Sequence, residues 1–429
     1  MLSKSKFTRG IICPKSLWLY VNKREERLID EATMSIFAQG TDVGELARQY
    51  FPGGRMAMLE DYPNFDSAKR TQELIRQGVE TIYEATFVYN KTLVAVDILT
   101  KINGEWQLFE VKSTNGVKEQ HIKDVAVQYY VVNGCGIHLK DASVMFFNRD
   151  YVRQGELDIQ SLFTYQSILA EVLDVQTFVA ENIEVLLKLE KQANEPLIEM
   201  GSQCTSPYNC DFTDYCLQLL PLQPEEKAME LSNEPLVNSD EIKAFLDDNP
   251  YPLYFFDFET IMPGVPMFDN SRPYQQIPFQ YSLHYKENKG SELIHYEYLA
   301  KNEGDSRTEL IRQLIENTQQ PGYILVYNIA FERTRLKEMM RDFPQYAGEL
   351  SAIIDRLVDL MPIFRRKHFV TESMQESYSI KYVLPALCPD LSYSELDINN
   401  GGDASAMFLA LYEETDEEII RKTRENLLK

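Results

Sequence analysis

Short alternating runs of apolar and polar residues are densest between residues 81 and 113. Three β-prone segments follow one another there, Thr81–Tyr89, Leu93–Thr100 and Trp106–Ser113. Ahead of them the apolar spacing lengthens to that of helices over Pro14–Arg27, Met34–Tyr50 and Asp66–Gly78, and Phe51-Pro52-Gly53-Gly54 ends the second. Behind them the pattern predicts a helix over 118–132, a strand over Ala142–Asn148 and one or two long charged helices over 155–192. Pro221 to Pro250, rich in Pro, Glu, Asn and Ser, reads as a linker holding one short helix, Ser239–Leu246. The rhythm then becomes that of an α/β fold. Strands are expected over Tyr254–Thr260, Gln280–Tyr285, Glu292–Leu299 and Tyr323–Tyr327, and helices over Ser306–Thr318 and Ala330–Met340. A chain of 429 residues exceeds one ordinary core, so two domains are expected, 1–220 and 251–429, joined by 221–250.

Charge narrows the function classes. With 43 basic and 66 acidic residues the net charge is −23, which counts against a broad basic face for nonspecific nucleic-acid binding. An acidic active site that binds cations stays compatible with it. No apolar run approaches the roughly 18 residues of a membrane helix, and the basic start Met1–Arg9 leads into no signal-peptide stretch, so a cytoplasmic protein is expected, with no membrane partner.

Candidate chemistry concentrates in Leu93-Val-Ala-Val-Asp97-Ile-Leu-Thr-Lys-Ile-Asn103-Gly104-Glu-Trp-Gln-Leu-Phe-Glu110-Val-Lys112. Asn103-Gly104 is the strongest short signal for a two-residue type I′ hairpin turn. That turn sets Ile102 opposite Glu105 and, five rungs on, Asp97 opposite Glu110 on one face, with β-carbons about 5 Å apart. Facing carboxylates repel unless a cation compensates, and hard divalent ions take oxygen ligands. Lys112 shares the face by strand alternation and can serve a water attacking a phosphodiester.

A strand ending in Asp, then Glu-x-Lys, then a helix with Gln resembles the RecB-like branch of the PD-(D/E)XK nucleases, the restriction-endonuclease-like fold. The resemblance implies Mg²⁺ or Mn²⁺ on Asp97 and Glu110, a positioning role for Gln128 toward the lysine or the substrate, and Glu45 as a metal ligand from an early helix. The family's tyrosine, four residues after the Gln, is Val132 here, leaving Tyr129 or Tyr130 to substitute.

Of six cysteines, Cys204, Cys210 and Cys216 lie within thirteen residues, and Cys13 can complete a set of four. Such clustering in a long chain points to a bound metal or cluster rather than disulfides. One cysteine before the core and three after it is similar to the nucleases of CRISPR spacer adaptation, which implies a structural [4Fe–4S] cluster stapling the domain's ends. Zinc is the alternative, although zinc sites favour shorter spacings.

In the second half, Tyr254-Phe-Phe-Asp257-Phe-Glu259 is an apolar strand carrying two acids on one face. Asn328-Ile-Ala-Phe331-Glu332 turns a strand into a helix, and Asp359 follows. These resemble the RNase H-like DEDD exonucleases, implying a second ion site at Asp257, Glu259 and Glu332, with Glu332 standing where the family has Asp. The family's last motif, Tyr or His followed by Asp, has no counterpart before Lys429, and Asp403 is a weak substitute. The whole order looks like an uncharacterised bacterial family of unknown function, in which an iron–sulfur RecB-like domain precedes an RNase H-like one. The expectation is a metal-dependent, exodeoxyribonuclease-like enzyme acting on DNA rather than RNA, single-stranded or at ends. The alternative is an inactive nucleic-acid-binding or scaffold subunit working with a protein partner in a DNA-processing or defence complex.

Overall fold

The computed structural model describes residues 1–28, 43–60, 62–219, 235–391 and 401–429. The chain divides into two compact units, Met1–Pro224 and Glu225–Lys429. Both are mixed α/β.

The first unit is built on seven strands: β1 (Leu2–Ser3), β2 (Arg55–Met56), β3 (Thr81–Tyr89), β4 (Thr92–Ile102), β5 (Glu105–Val111), β6 (Leu139–Phe147) and β7 (Phe163–Ser167). Their order is β2-β3-β4-β5-β6-β7, with β1 alongside β4. Leu93, Val94, Val96, Ile98 and Leu99 of β4 are all buried, so this strand is covered on both faces, and its apolar run is interrupted only by Asp97. Each such side chain contributes about 1.5–3 kcal/mol. The parallel pair β5–β6 is joined through helix α4 (Glu119–Gly134). Helices α1 (Lys4–Ile12), α2 (Pro14–Asn22), α3 (Phe65–Arg76), α5 (Gln176–Leu189) and α6 (Thr213–Gln218) complete the unit's main helices, with 43–48 also helical.

Two hairpins fix this sheet's register. Asn103 and Gly104 take φ of 54° and 82°, and β4 pairs β5 from Ile102↔Glu105 to Ile98↔Phe109, the expected register. The turn before β4, Asn90-Lys91, also has two positive φ values, 44° and 57°, and sets Tyr89 opposite Thr92. Lysine is no turn signal, so that turn was not legible.

Two elements depart from expectation. Phe163–Ser167 is a strand inside the stretch read as long charged helices, because Phe163-Thr-Tyr closes the edge of β6 and buries Phe163. Helix α1 lies where the sequence offered only a basic start. Ser3 caps it, accepting from the Lys6 N–H at 3.2 Å, and it buries Phe7.

In the second unit the strands are β8 (Leu236–Val237), β9 (Leu253–Ile261), β10 (Ile277–Lys286), β11 (Ile294–Leu299), β12 (Tyr323–Val326), β13 (Leu357–Asp359) and β14 (Phe369–Val370). The main sheet runs β11-β10-β9-β12-β13, antiparallel through β9 and parallel beyond it. Its helices include α7 (Ser239–Asp248), α8 (Arg307–Asn317), α9 (Ile329–Asp342), α10 (Ile380–Leu387), α11 (Gly401–Ala410) and α12 (Glu417–Leu427). Of the expected linker, 221–234 lie outside the described residues. Its remainder is structured: β8 pairs with β14, and α7 follows. Much of the helix expected over Met34–Tyr50, and Ser392 and Tyr393, also lie outside them. Among the described residues no helix is long and apolar enough to cross a membrane.

Candidate functional site

The β4–β5 ladder stops one rung short of Asp97 and Glu110. Instead of a strand partner, the Val111 N–H donates to Asp97 Oδ2 at 2.7 Å, so the strands part where the two acids stand. Glu110, only 2% exposed, is surrounded by donors. Lys4 Nζ lies 2.8 Å from its Oε1 and 3.0 Å from its Oε2, Lys112 Nζ is 2.9 Å from Oε1, and Gln128 Nε2 donates to Oε2 at 2.7 Å. Lys112 is pinned from its other side by Asp124 at 2.6 Å. Gln128 is wholly buried, and its Oε1 has no partner among the described residues.

Electrostatics follow from this packing. Burial pushes Asp97 up to about 8, and the neighbouring Glu110 charge adds to it. Burial would raise Glu110 too, but the Lys112 and Lys4 ammonium groups outweigh it and hold the carboxyl well below its usual range. Burial works against the charge on Lys112, and Glu110 with Asp124 reverses that, so its pKa is raised and it stays an ammonium. His121 is buried. It accepts the Lys118 N–H at 3.1 Å and is held neutral, down at about 4, by burial and then by Lys112.

Three residues of this site escaped the sequence reading. Lys4 and Asp124 are far from Asp97 in sequence. Glu84 was legible in principle, because the β3–β4 register that pairs Tyr83 with Ile98 and Ala85 with Val96 sets Glu84 level with Asp97. Acids on three neighbouring strands, Glu84, Asp97 and Glu110, therefore form a row. Glu84 is raised by burial, with Arg48 at 3.1 Å opposing, and its φ of 51° is left-handed within a strand. Glu84→Gly is expected to exceed Glu84→Ala in stability by about 1 kcal/mol in urea unfolding, the reverse of the usual strand order. The early helix that carries Glu45 delivers Arg48 to the row, while Glu45 itself is exposed.

The four candidate cysteines meet at the ends of this unit. Cys13 caps α2, accepting from Ser16 N–H at 3.4 Å, and Cys210 Sγ lies 3.6 Å from Ser16 Oγ. Burial raises the Cys13 and Cys216 thiols, and neighbouring thiols from the same set add to it. The closing segment is tied to α1 by Arg9, bidentate on Asp211 at 2.6 and 2.9 Å, and to α2 by packing of Trp18 and Leu19 on Phe212 and Tyr215. The donor set suits a soft metal or a cluster. As they stand, no group of three or more His, Cys, Asp or Glu side chains among the described residues could hold a metal ion.

In the second unit Asp257 and Glu259 stand opposite Ser282 and Gln280 of β10. Burial raises Asp257 to about 6, although the residue keeps an exposed edge, and raises Glu259 to about 7, with the Asp257 charge adding. Glu332, in the first turn of α9, is 1% exposed, and its Oε2 has no partner among the described residues. Burial, then the charges of Asp257 and Asp359, push it up to about 8. Asp359 ties loops together, since its Oδ1 accepts the Asn328 and Met361 N–H groups at 3.1 and 3.0 Å. Helix α11 packs on β9 and begins against Glu259. A Cβ on Gly401 would lie 3.0 Å from Glu259 Oε2, and Asp403 follows in the same turn.

Residues 254–379 match a family model described as "Domain of unknown function (DUF2779)". Over 177 residues the chain is 30% identical to "Uncharacterized protein MG366 homolog" of Mycoplasma pneumoniae, covering 37% of this chain and 26% of that protein. It is 28% identical over 176 residues to "Uncharacterized protein MG366" of Mycoplasma genitalium, with the same coverage. The chain thus spans about a quarter of the length of these relatives. Among solved structures, "Crystal structure of SSO0001" matches with 12% identity and a TM-score of 0.28, over 51% of this chain and 87% of that one.

Proposed function

We propose that the chain is a metal-dependent nuclease whose first unit is a PD-(D/E)XK domain cleaving DNA, single-stranded or at ends. The observation that carries the reading is the buried Glu110 carboxylate gripped by Lys112 and Gln128 beside Asp97. Asp97 and Glu110 are hard oxygen donors suited to Mg²⁺ or Mn²⁺, and the row of acids and the unpaired Gln128 Oε1 fit a polar guest. When bound, such an ion polarises the phosphate and acidifies its water. Lys112 acts as a fixed cation rather than a base, because Glu110 and Asp124 keep it protonated. It orients the attacking water and stabilises charge building on the phosphate. Gln128 holds Glu110 in place.

The second unit is proposed as an RNase H-like exonuclease domain, with Asp257, Glu259 and Glu332 its acids and Asp403, in the first turn of the helix packed on β9, the candidate fourth. The cysteines are proposed to carry a structural [4Fe–4S] cluster. Anaerobically purified protein is then expected to contain iron and acid-labile sulfide, and Cys216→Ser to lose iron and melt earlier. Zinc without iron would replace the cluster with the zinc reading.

A second reading, an inactive nucleic-acid-binding subunit, is favoured by one observation: Lys4, Lys112 and Arg48 already balance most of the row's charge. The deciding experiment is cleavage of labelled single- and double-stranded DNA in Mn²⁺ or Mg²⁺. Degradation supports the nuclease, and binding without degradation supports the subunit.

A further inference from the structure

We infer that Lys4 is a second phosphate-directed lysine of the first unit's site, a role that deepens the nuclease reading and rests on it. Its ammonium and that of Lys112 share one oxygen, Glu110 Oε1, at 2.8 and 2.9 Å. Glu110 is 2% exposed, while the Lys4 and Lys112 side chains are 26% and 23% exposed. The two lysine side chains thus keep some surface toward solvent, while the carboxylate between them keeps almost none.

The two lysines are held differently. Lys112 is pinned between Glu110 and Asp124, whereas Lys4 donates to Glu110 alone among the described residues. Lys112 and Gln128 already give each Glu110 oxygen a hydrogen-bond donor. An ammonium has three donors, so Lys4 can keep one on Glu110 and turn another to a phosphate oxygen. Its position is built in rather than incidental. Leu2 is fully buried where β1 pairs with Thr92 and Leu93, Ser3 caps α1, and Lys6 bonds Glu190 at 2.7 Å. The chain start is thereby anchored with Lys4 over the acids.

The test uses the full chain and a labelled single-stranded oligodeoxynucleotide, with binding measured in Ca²⁺ across a salt series and cleavage in Mn²⁺. Lys4→Met is expected to lower the slope of log affinity against log salt by about 0.7–1. It should also slow cleavage about ten- to a hundredfold, the loss of one charge-assisted contact. Lys4→Gln, which keeps a donor for Glu110 without the charge, should do the same if the methionine variant folds poorly. Lys4→Arg should restore the slope. Lys69→Met, which removes an exposed lysine charge on α3 away from the acids, should leave slope and rate as in the wild type. A Lys4→Gln protein with wild-type slope and wild-type cleavage overturns the inference and leaves the nuclease reading standing. A wild-type protein that cleaves nothing, yet loses salt slope with Lys4→Gln, sinks the nuclease reading and keeps the phosphate contact.

Discussion

Glu110→Gln is expected to reduce Mn²⁺-dependent DNA cleavage by roughly a thousandfold or more, with the fold intact. The substitution keeps the shape of the side chain and removes the charge around which Lys4, Lys112 and Gln128 are organised. An amide is a far weaker ion ligand than a carboxylate, and its NH₂ would face ammonium groups that need an acceptor. Stability should fall by about 1–3 kcal/mol, since Lys112 retains Asp124 and Gln128 Nε2 retains the Asp124 carbonyl at 3.1 Å. Asp257→Asn, in the other unit, should leave cleavage by the first unit largely unchanged and remove only what the second unit contributes. Both variants are to be compared on labelled single-stranded DNA, with folding checked by circular dichroism. Activity retained in Glu110→Gln and lost in Asp257→Asn would move the chemistry to the second unit.

The legible part of this site was what strand geometry dictates. Asn103-Gly104 set one register, and alternation then placed Asp97, Glu110 and Lys112 on one face before any tertiary contact was known. The same logic applied to the previous hairpin would have added Glu84, but Asn90-Lys91 carries no recognisable turn signal. Lys4 was illegible for a different reason. Nothing in Leu2-Ser-Lys-Ser-Lys predicts that a two-residue strand pairs in parallel with β4 across some ninety residues of chain. Asp124 and His121 lie on one helix whose pattern was read correctly, yet which of its polar residues turn inward depends on the sheet it meets. In the second unit Tyr254-Phe-Phe-Asp-Phe-Glu reads as an apolar strand and is one, with Tyr254, Phe256 and Phe258 buried and Phe255 and Asp257 exposed. The packing of α11 beside Glu259 was hidden, because it brings together residues far apart in the chain.

Glu332→Gln is expected to stabilise the second unit at alkaline pH when no divalent ion is present. The wild-type carboxyl is buried with one oxygen unpaired among the described residues, and its pKa is raised from 4.5 to about 8. A folded-state pKa above the unfolded one means that the folded unit holds the proton more tightly. That contribution is complete below about pH 4.5 and is lost as pH rises through 8. The loss is on the order of 4–5 kcal/mol, which is large beside the usual margin of a domain. The wild-type melting temperature should therefore fall between pH 6 and pH 9 in EDTA, and that of Glu332→Gln should fall much less. Mn²⁺ should restore the wild type at pH 9 and do little for the variant, because an ion supplies the charge that burial denies the acid. Equal pH profiles for the two proteins would mean that the Glu332 carboxylate is solvated in solution. A flat Mn²⁺ response with the pH difference intact would leave Glu332 a buried structural acid and remove it from the second ion site.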